Sequence, residues 1–205
     1  MKFSDVKYKQ LTTPESYRIL VIGGSAGSMP VLTALMKELP APFPIPVVIV
    51  IHRLKNVKSE LGALLSGEQR ITEPDDKELL LPGHIYLAPQ NYHLLIEADG
   101  TISLDYSEPV NFSRPAIDLS FSSAAEAFGK YTLAILLSGA NKDGATGICR
   151  VAASGGMAIV QDPLTAAFST MPRAALDLCQ GIRTMTVDEM IDYLRNISTK
   201  TNIEK

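Results

Sequence analysis

Three apolar runs of strand length pass, without alternation, into loops of glycine and polar residues, and this restricts the fold more than any other feature of the chain. Arg18-Ile19-Leu20-Val21-Ile22 runs into Gly23-Gly24-Ser25-Ala26-Gly27, and Pro46-Val47-Val48-Ile49-Val50-Ile51 runs into His52. The third run, from Tyr131 to Leu137, enters Ser138-Gly139-Ala140-Asn141-Lys142-Asp143-Gly144. A strand apolar on both sides is buried on both sides, the condition of a parallel sheet covered by helices. Helical patterns separate the runs: Pro30 to Leu39 behind a Ser28 cap, Pro115 to Phe128 with a Gly129 stop, and Ala145 to Ala153. The expected fold is α/β, a doubly wound, mainly parallel sheet with helices on both faces.

The remaining segments fill in this outline. A helix capped by Asn56 is expected to run to about Ser66. Ile85 to Ala88 and Tyr92 to Ile96 read as short strands, and Asp99-Gly100 is a hairpin turn before Thr101 to Leu104, so the middle of the chain is expected to be a small antiparallel hairpin region. Met157 to Gln161 and Ile182 to Thr186 are further strands, with helices near Pro172 to Cys179 and Asp188 to Ile197.

At 205 residues and 46 % hydrophobic content, one domain is the expectation, spanning 18–198 between a polar N-terminal arm (1–17) and a short tail (199–205). A net charge of −3 supplies no basic stripe for a phosphate backbone, which argues against nucleic acid. The arm carries charges and no apolar segment, and no apolar run reaches the length of a membrane span, so a cytoplasmic protein without membrane insertion is expected. Cys149 and Cys179 are the only cysteines, without metal-ligand spacing, and read as buried thiols of a reducing compartment. No metal site is expected.

Ser25 satisfies G-x-S-x-G, a nucleophile on a tight strand-to-helix turn, where helix N–H groups face a developing oxyanion. Glycine-rich first turns also hold pyrophosphates, and serine is a common turn or cap residue. Gly23, Gly24 and Gly27 do not make G-x-G-x-x-G, however, and the second strand ends in His52-Arg53 without the acidic residue that holds a ribose. No cofactor is expected. His52 can take a serine proton near neutral pH and return it to a leaving group. Asp143 is either the N-terminal charge of its own helix or the carboxylate that orients His52 through Nδ1. In a parallel sheet the ends of distant strands converge, which joins the three into a serine hydrolase. The order Ser, His, Asp differs from that of α/β hydrolases. His84 is expected to begin a strand, and His93 to sit half-exposed in the hairpin or on a cleft rim.

In these residues the chain resembles the catalytic domain of the chemotaxis receptor methylesterases, the CheB family. The resemblance runs from about Arg18 to Ile197. It is carried by Val21 to Ser28, Val50-Ile51-His52, Leu81 to Pro89, Ser113-Arg114-Pro115-Ala116-Ile117-Asp118, Leu136 to Ala145, and Ala158 to Asp162. It implies hydrolysis of glutamate γ-methyl esters on the cytoplasmic helices of chemoreceptors, with methanol release and deamidation of receptor glutamines as a second activity. It assigns Ser25 as nucleophile, His52 as base then acid, and Asp143 as its holder. Backbone N–H groups of Ala26, Gly139 and Ala140 are the implied oxyanion donors, and Arg114 an implied substrate contact. A methyltransferase or a separate response regulator is an implied partner. Only about seventeen residues precede the first strand, so an esterase without an attached receiver is expected. Ala26, Ser28 and Ala140 depart from the usual family residues. The competing readings are a small-molecule serine esterase of this fold and a catalytically silent signalling module.

Overall fold

A computed structural model describes residues 17–53 and 71–201. In chain order the elements are β1 (Ile19–Gly24), α1 (Met29–Glu38), β2 (Val47–Ile51), β3 (Ile71–Thr72), β4 (Ile85–Leu87), β5 (His93–Ile96) and β6 (Ile102–Asp105). They continue with α2 (Ile117–Phe128), β7 (Thr132–Leu136), α3 (Ala145–Ala153), β8 (Met157–Gln161), α4 (Thr170–Leu178), β9 (Arg183–Met185) and α5 (Val187–Thr201). The helix expected after Asn56 lies outside the described residues. The last helix runs to Thr201, into the stretch read as tail.

Seven strands form one parallel sheet in the order β3-β4-β2-β1-β7-β8-β9, and β5 pairs with β6 in a separate antiparallel sheet. The chain builds outward from β1 through β2 on one side, then resumes through β7 on the other. The gap between β1 and β7 is therefore the topological switch point, where the connections leave in opposite directions and open a crevice at the carboxyl edge. All residues of β1, β2 and β7 are buried, as continuous apolar runs demand.

Alternate residues of each strand feed two cores. Leu20, Ile22 and Ile49 pack under α1 and α5 through Leu32, Leu35, Met190 and Leu194. Ile19, Val21 and Val48 pack under α2, α3 and α4 through Ile117, Phe121, Ile148 and Met171, with the hairpin joining by Leu94, Ile96 and Ile102. Gly147 of α3 lets α2 approach, since a Cβ there would lie 2.6 Å from the Asp118 carbonyl oxygen.

Three expectations need correction. The middle of the chain is not antiparallel throughout: β4 pairs in parallel with β2, and only β5 and β6 form a hairpin. Three residues of β4, all apolar, carry no period that could distinguish the two. Cys149 and Cys179 are half-buried and joined as a disulfide with Cα atoms 5.8 Å apart. Packing of α3 beside α4 brings them together, a proximity that a separation of 30 residues does not announce. Ser28 precedes α1 but does not cap it, because its hydroxyl donates to the Ser25 carbonyl at 2.7 Å.

Candidate active site

The three strand-end residues meet at the switch point. Ser25 lies at the turn after β1, tied down by donation of its N–H to the Ser138 carbonyl beyond β7 (2.9 Å). Gly27 completes that turn at φ +75°, a conformation that side chains rarely adopt. His52 follows β2 and donates its N–H to Gly24. Its Nδ1 lies 3.2 Å from Ser25 Oγ, and its Nε2 lies 2.8 Å from Asp143 Oδ2.

The ring is thus turned opposite to expectation, with serine on Nδ1 and carboxylate on Nε2. Strand order explains this. Ser25 stands on the strand next to β2, whereas Asp143 stands one strand further, so the distal nitrogen must span the longer gap. The carboxylate holds the Nε2 proton and leaves Nδ1 as acceptor for the serine hydroxyl.

Asp143 is wholly buried and does not cap the helix it precedes. Its Oδ2 accepts from Ile117 N (2.7 Å), and its Oδ1 from Asp118 N (3.1 Å) and Gly144 N (3.0 Å). It therefore caps α2, whose own preceding residue, Ala116, offers no side-chain cap. Asp118 returns the favour by accepting from Gly147 N in the first turn of α3 (2.7 Å). Burial alone would push the Asp143 carboxyl up, but hydrogen bonds from His52, Ile117 and Asp118 and the adjacent His52 charge together outweigh it and hold the carboxyl below its ordinary value. Asp118 goes the other way: burial, the largest influence, and the neighbouring Asp143 charge raise it against its backbone hydrogen bonds.

His93 is fully buried, not half-exposed. Its Nε2–H donates to the Glu108 carbonyl (3.1 Å) and its Nδ1 accepts from Ala116 N (3.1 Å), so it fixes the entry into the helix that presents N–H groups to Asp143. Ser138, also buried, donates to the Ala26 carbonyl (2.8 Å) and accepts from Phe168 N (2.9 Å), joining the loops after β1, β7 and β8. Around His52 Nδ1 stand two groups that lie in the quoted motifs but to which the sequence assigned no role, Ser113 Oγ at 3.4 Å and Asn141 Nδ2 at 3.5 Å. Asn141 is oriented by the Asp143 N–H, which donates to its Oδ1 (3.1 Å).

The other expected site residues divide. The Ala26 and Ala140 N–H groups, both on exposed residues, have no acceptor among the described residues, whereas the Gly139 N–H is taken by the Phe168 carbonyl (3.0 Å). Arg114 donates through Nη1 to the carbonyls of Tyr106 and Ser107 and stacks on the Tyr106 ring. Beside Asp143 opens a cavity of about 680 Å³ lined by Asn111, Asp118, Lys142, Thr146, Ser169 and Arg173 among others. Among the described residues no cluster of His, Cys, Asp or Glu could hold a metal, and no helix is long and apolar enough to cross a membrane.

A serine, an imidazole and a buried carboxylate joined in that order at the switch point of a parallel sheet is the arrangement of the serine hydrolases. The CheB methylesterase family model matches residues 20–194, and the chain belongs to that family. A Leptospira interrogans relative with the provisional name protein-glutamate methylesterase/protein-glutamine glutaminase is 42 % identical over 200 residues, covering 93 % of this chain and 99 % of its own. A Thermotoga maritima protein-glutamate methylesterase/protein-glutamine glutaminase is 35 % identical over 167 residues, covering 79 % of this chain. This chain spans about half the length of that relative, matching 48 % of it. The crystal structure of the Thermotoga maritima CheB methylesterase catalytic domain superimposes with a TM-score of 0.82 at 32 % identity, covering 89 % of this chain and 99 % of that one.

Proposed function

We propose that the chain is a protein-glutamate methylesterase that hydrolyses glutamate γ-methyl esters on the cytoplasmic helices of chemoreceptors, with glutamine deamidation as its second activity. The carrying observation is His52, held between Ser25 Oγ (3.2 Å) and Asp143 Oδ2 (2.8 Å).

Ser25 Oγ attacks the ester carbonyl while His52 Nδ1 takes its proton; Asp143 stabilises the imidazolium through Nε2. The N–H groups of Ala26 and Ala140 receive the oxyanion, and loss of one such donor typically costs about 2.7–4 kcal/mol of barrier. His52 then returns its proton to the methoxide oxygen, which leaves as methanol, and an acyl-enzyme remains on Ser25. Water, deprotonated by the same nitrogen, cleaves that acyl group to the glutamate carboxylate. With a glutamine substrate the leaving group is ammonia, and the rest of the cycle is the same.

Residues 18–198 carry this activity, in the cytoplasm, where receptor tips and a methyltransferase or separate response regulator are available. The test is methanol release from a methylated chemoreceptor cytoplasmic fragment. Release by the native chain and none by Ser25→Ala supports the reading; equal release by both removes Ser25 as nucleophile, and none by either removes the substrate.

A further inference from the structure

Val110 and Ser113 exchange both backbone hydrogen bonds, at 3.1 and 2.9 Å, and so close a loop of two residues. The two central residues have positive φ, 50° at Asn111 and 62° at Phe112, the pattern of a type I′ turn. That turn favours asparagine first and glycine second, because the second position crowds a Cβ. The chain supplies the asparagine but places phenylalanine where glycine belongs. The Phe112 side chain is also 101 % exposed, so the ring gains nothing from the fold. A bulky residue at positive φ with its ring in water is unfavourable twice over in the isolated chain.

Its position supplies a reason. The next residue, Ser113, closes the turn and has Oγ 3.4 Å from His52 Nδ1, so the base of the turn stands beside the imidazole. A second phenylalanine, Phe168, is 48 % exposed, and its ring edge lies over Gly27 in the Ser25 turn. Exposed aromatic rings thus stand on two loops that border the reacting atoms. A lone methyl ester has nothing to offer them. A helix carrying the ester presents further side chains one turn away along the same face.

We infer that Phe112 is a specificity-determining residue that seats its ring against an apolar side chain of the substrate helix, next to the esterified glutamate. The inference rests on the methylesterase reading above. Residues strained at positive φ cluster at ligand clamps, and a rigid aromatic is an efficient anchor.

The experiment is methanol release from the methylated receptor fragment over a range of substrate concentrations, with the native chain, Phe112→Gly and Phe112→Tyr, alongside their melting temperatures. Phe112→Gly is expected to raise KM roughly tenfold, acting through KM rather than kcat, and to melt no lower than the native chain. Phe112→Tyr, which keeps the ring, is expected to retain the native KM. A Phe112→Gly KM within a factor of about two of the native value overturns the inference and leaves the methylesterase reading intact. A fall in kcat together with the melting temperature overturns it in favour of a structural role. No release by the native chain overturns both.

Discussion

The two faces of the sheet are held by different means. Under α1 and α5 the contacts are almost wholly apolar, with a Tyr17–Tyr193 hydroxyl pair at 2.5 Å and an Arg195–Glu38 ion pair near the rim. Under α2, α3 and α4 the fold also buries His93, Asp118, Ser120, Thr132 and Asp143, each hydrogen-bonded. Buried polar groups need such partners, and here several lead to the carboxylate that faces His52. One face is therefore held mainly by apolar burial, with buried Ser28 tying the Ser25 turn to α1, whereas the other trades some apolar burial for control of the imidazole.

The largest expected effect lies at the centre of that network. Ser25→Ala and His52→Ala should each lower methanol release by at least about 10⁴-fold, and the double variant should be little worse, because the group acts as a unit. Multiplying losses in a rate assay would break the joint assignment.

Truncation on each face sharpens the contrast. Leu35→Ala, on the buried side of α1, should cost about 2–5 kcal/mol in denaturant unfolding while the surviving folded enzyme keeps its kcat. His93→Ala should cost a comparable amount, leaving Ala116 N and the Glu108 carbonyl unpaired, and should also lower kcat by releasing the start of α2. Equal kcat in both variants would mean that the polar face does not steer the site.

The Cys149–Cys179 bond closes a loop of thirty residues between α3 and α4 and should contribute about 3–4 kcal/mol through the unfolded chain. Denaturant midpoints with and without a reducing agent, against a Cys149→Ser/Cys179→Ser control, measure it. Such a bond is unusual in a reducing cytoplasm, and an unchanged midpoint under reduction would mean that the fold does not depend on it.

The smallest effect is electrostatic, and its sign differs between two neighbours. Asp143 is held below its ordinary 3.8, so the stability it contributes is present above that value and is lost as pH falls through the lowered folded value. Asp118 is raised above 3.8, so the fold favours its protonated form, and stability falls as pH rises from 3.8 through the raised value. Unfolding free energies from pH 3 to 6 should show the second slope flattened in Asp118→Asn. An unchanged slope would assign it elsewhere.

Much of the site was legible because parallel strands buried on both faces announce themselves as unbroken apolar runs, and their ends must share one edge. That pattern puts Ser25, His52 and Asp143 on one edge, and their residue types point to a joint role. Ser113, Asn141 and Ser138 were visible only as parts of motifs, since these long-range partners lie 23 to 112 residues away. The carbonyls of Tyr106 and Ser107 that take the Arg114 guanidinium were likewise not legible, since a guanidinium takes whichever carbonyls the fold brings close.

The sequence by itself determined the α/β class, the strands whose ends carry Ser25, His52 and Asp143, and helices such as the one ending at Gly129, because apolar period and glycine placement are local properties. Tertiary structure alone decided which nitrogen of His52 faces Ser25, that Asp143 caps α2 rather than α3, that β4 joins the parallel sheet, and that His93 and the two cysteines find partners. Each of those outcomes depends on strand order and helix packing, which bring together groups that no local pattern connects.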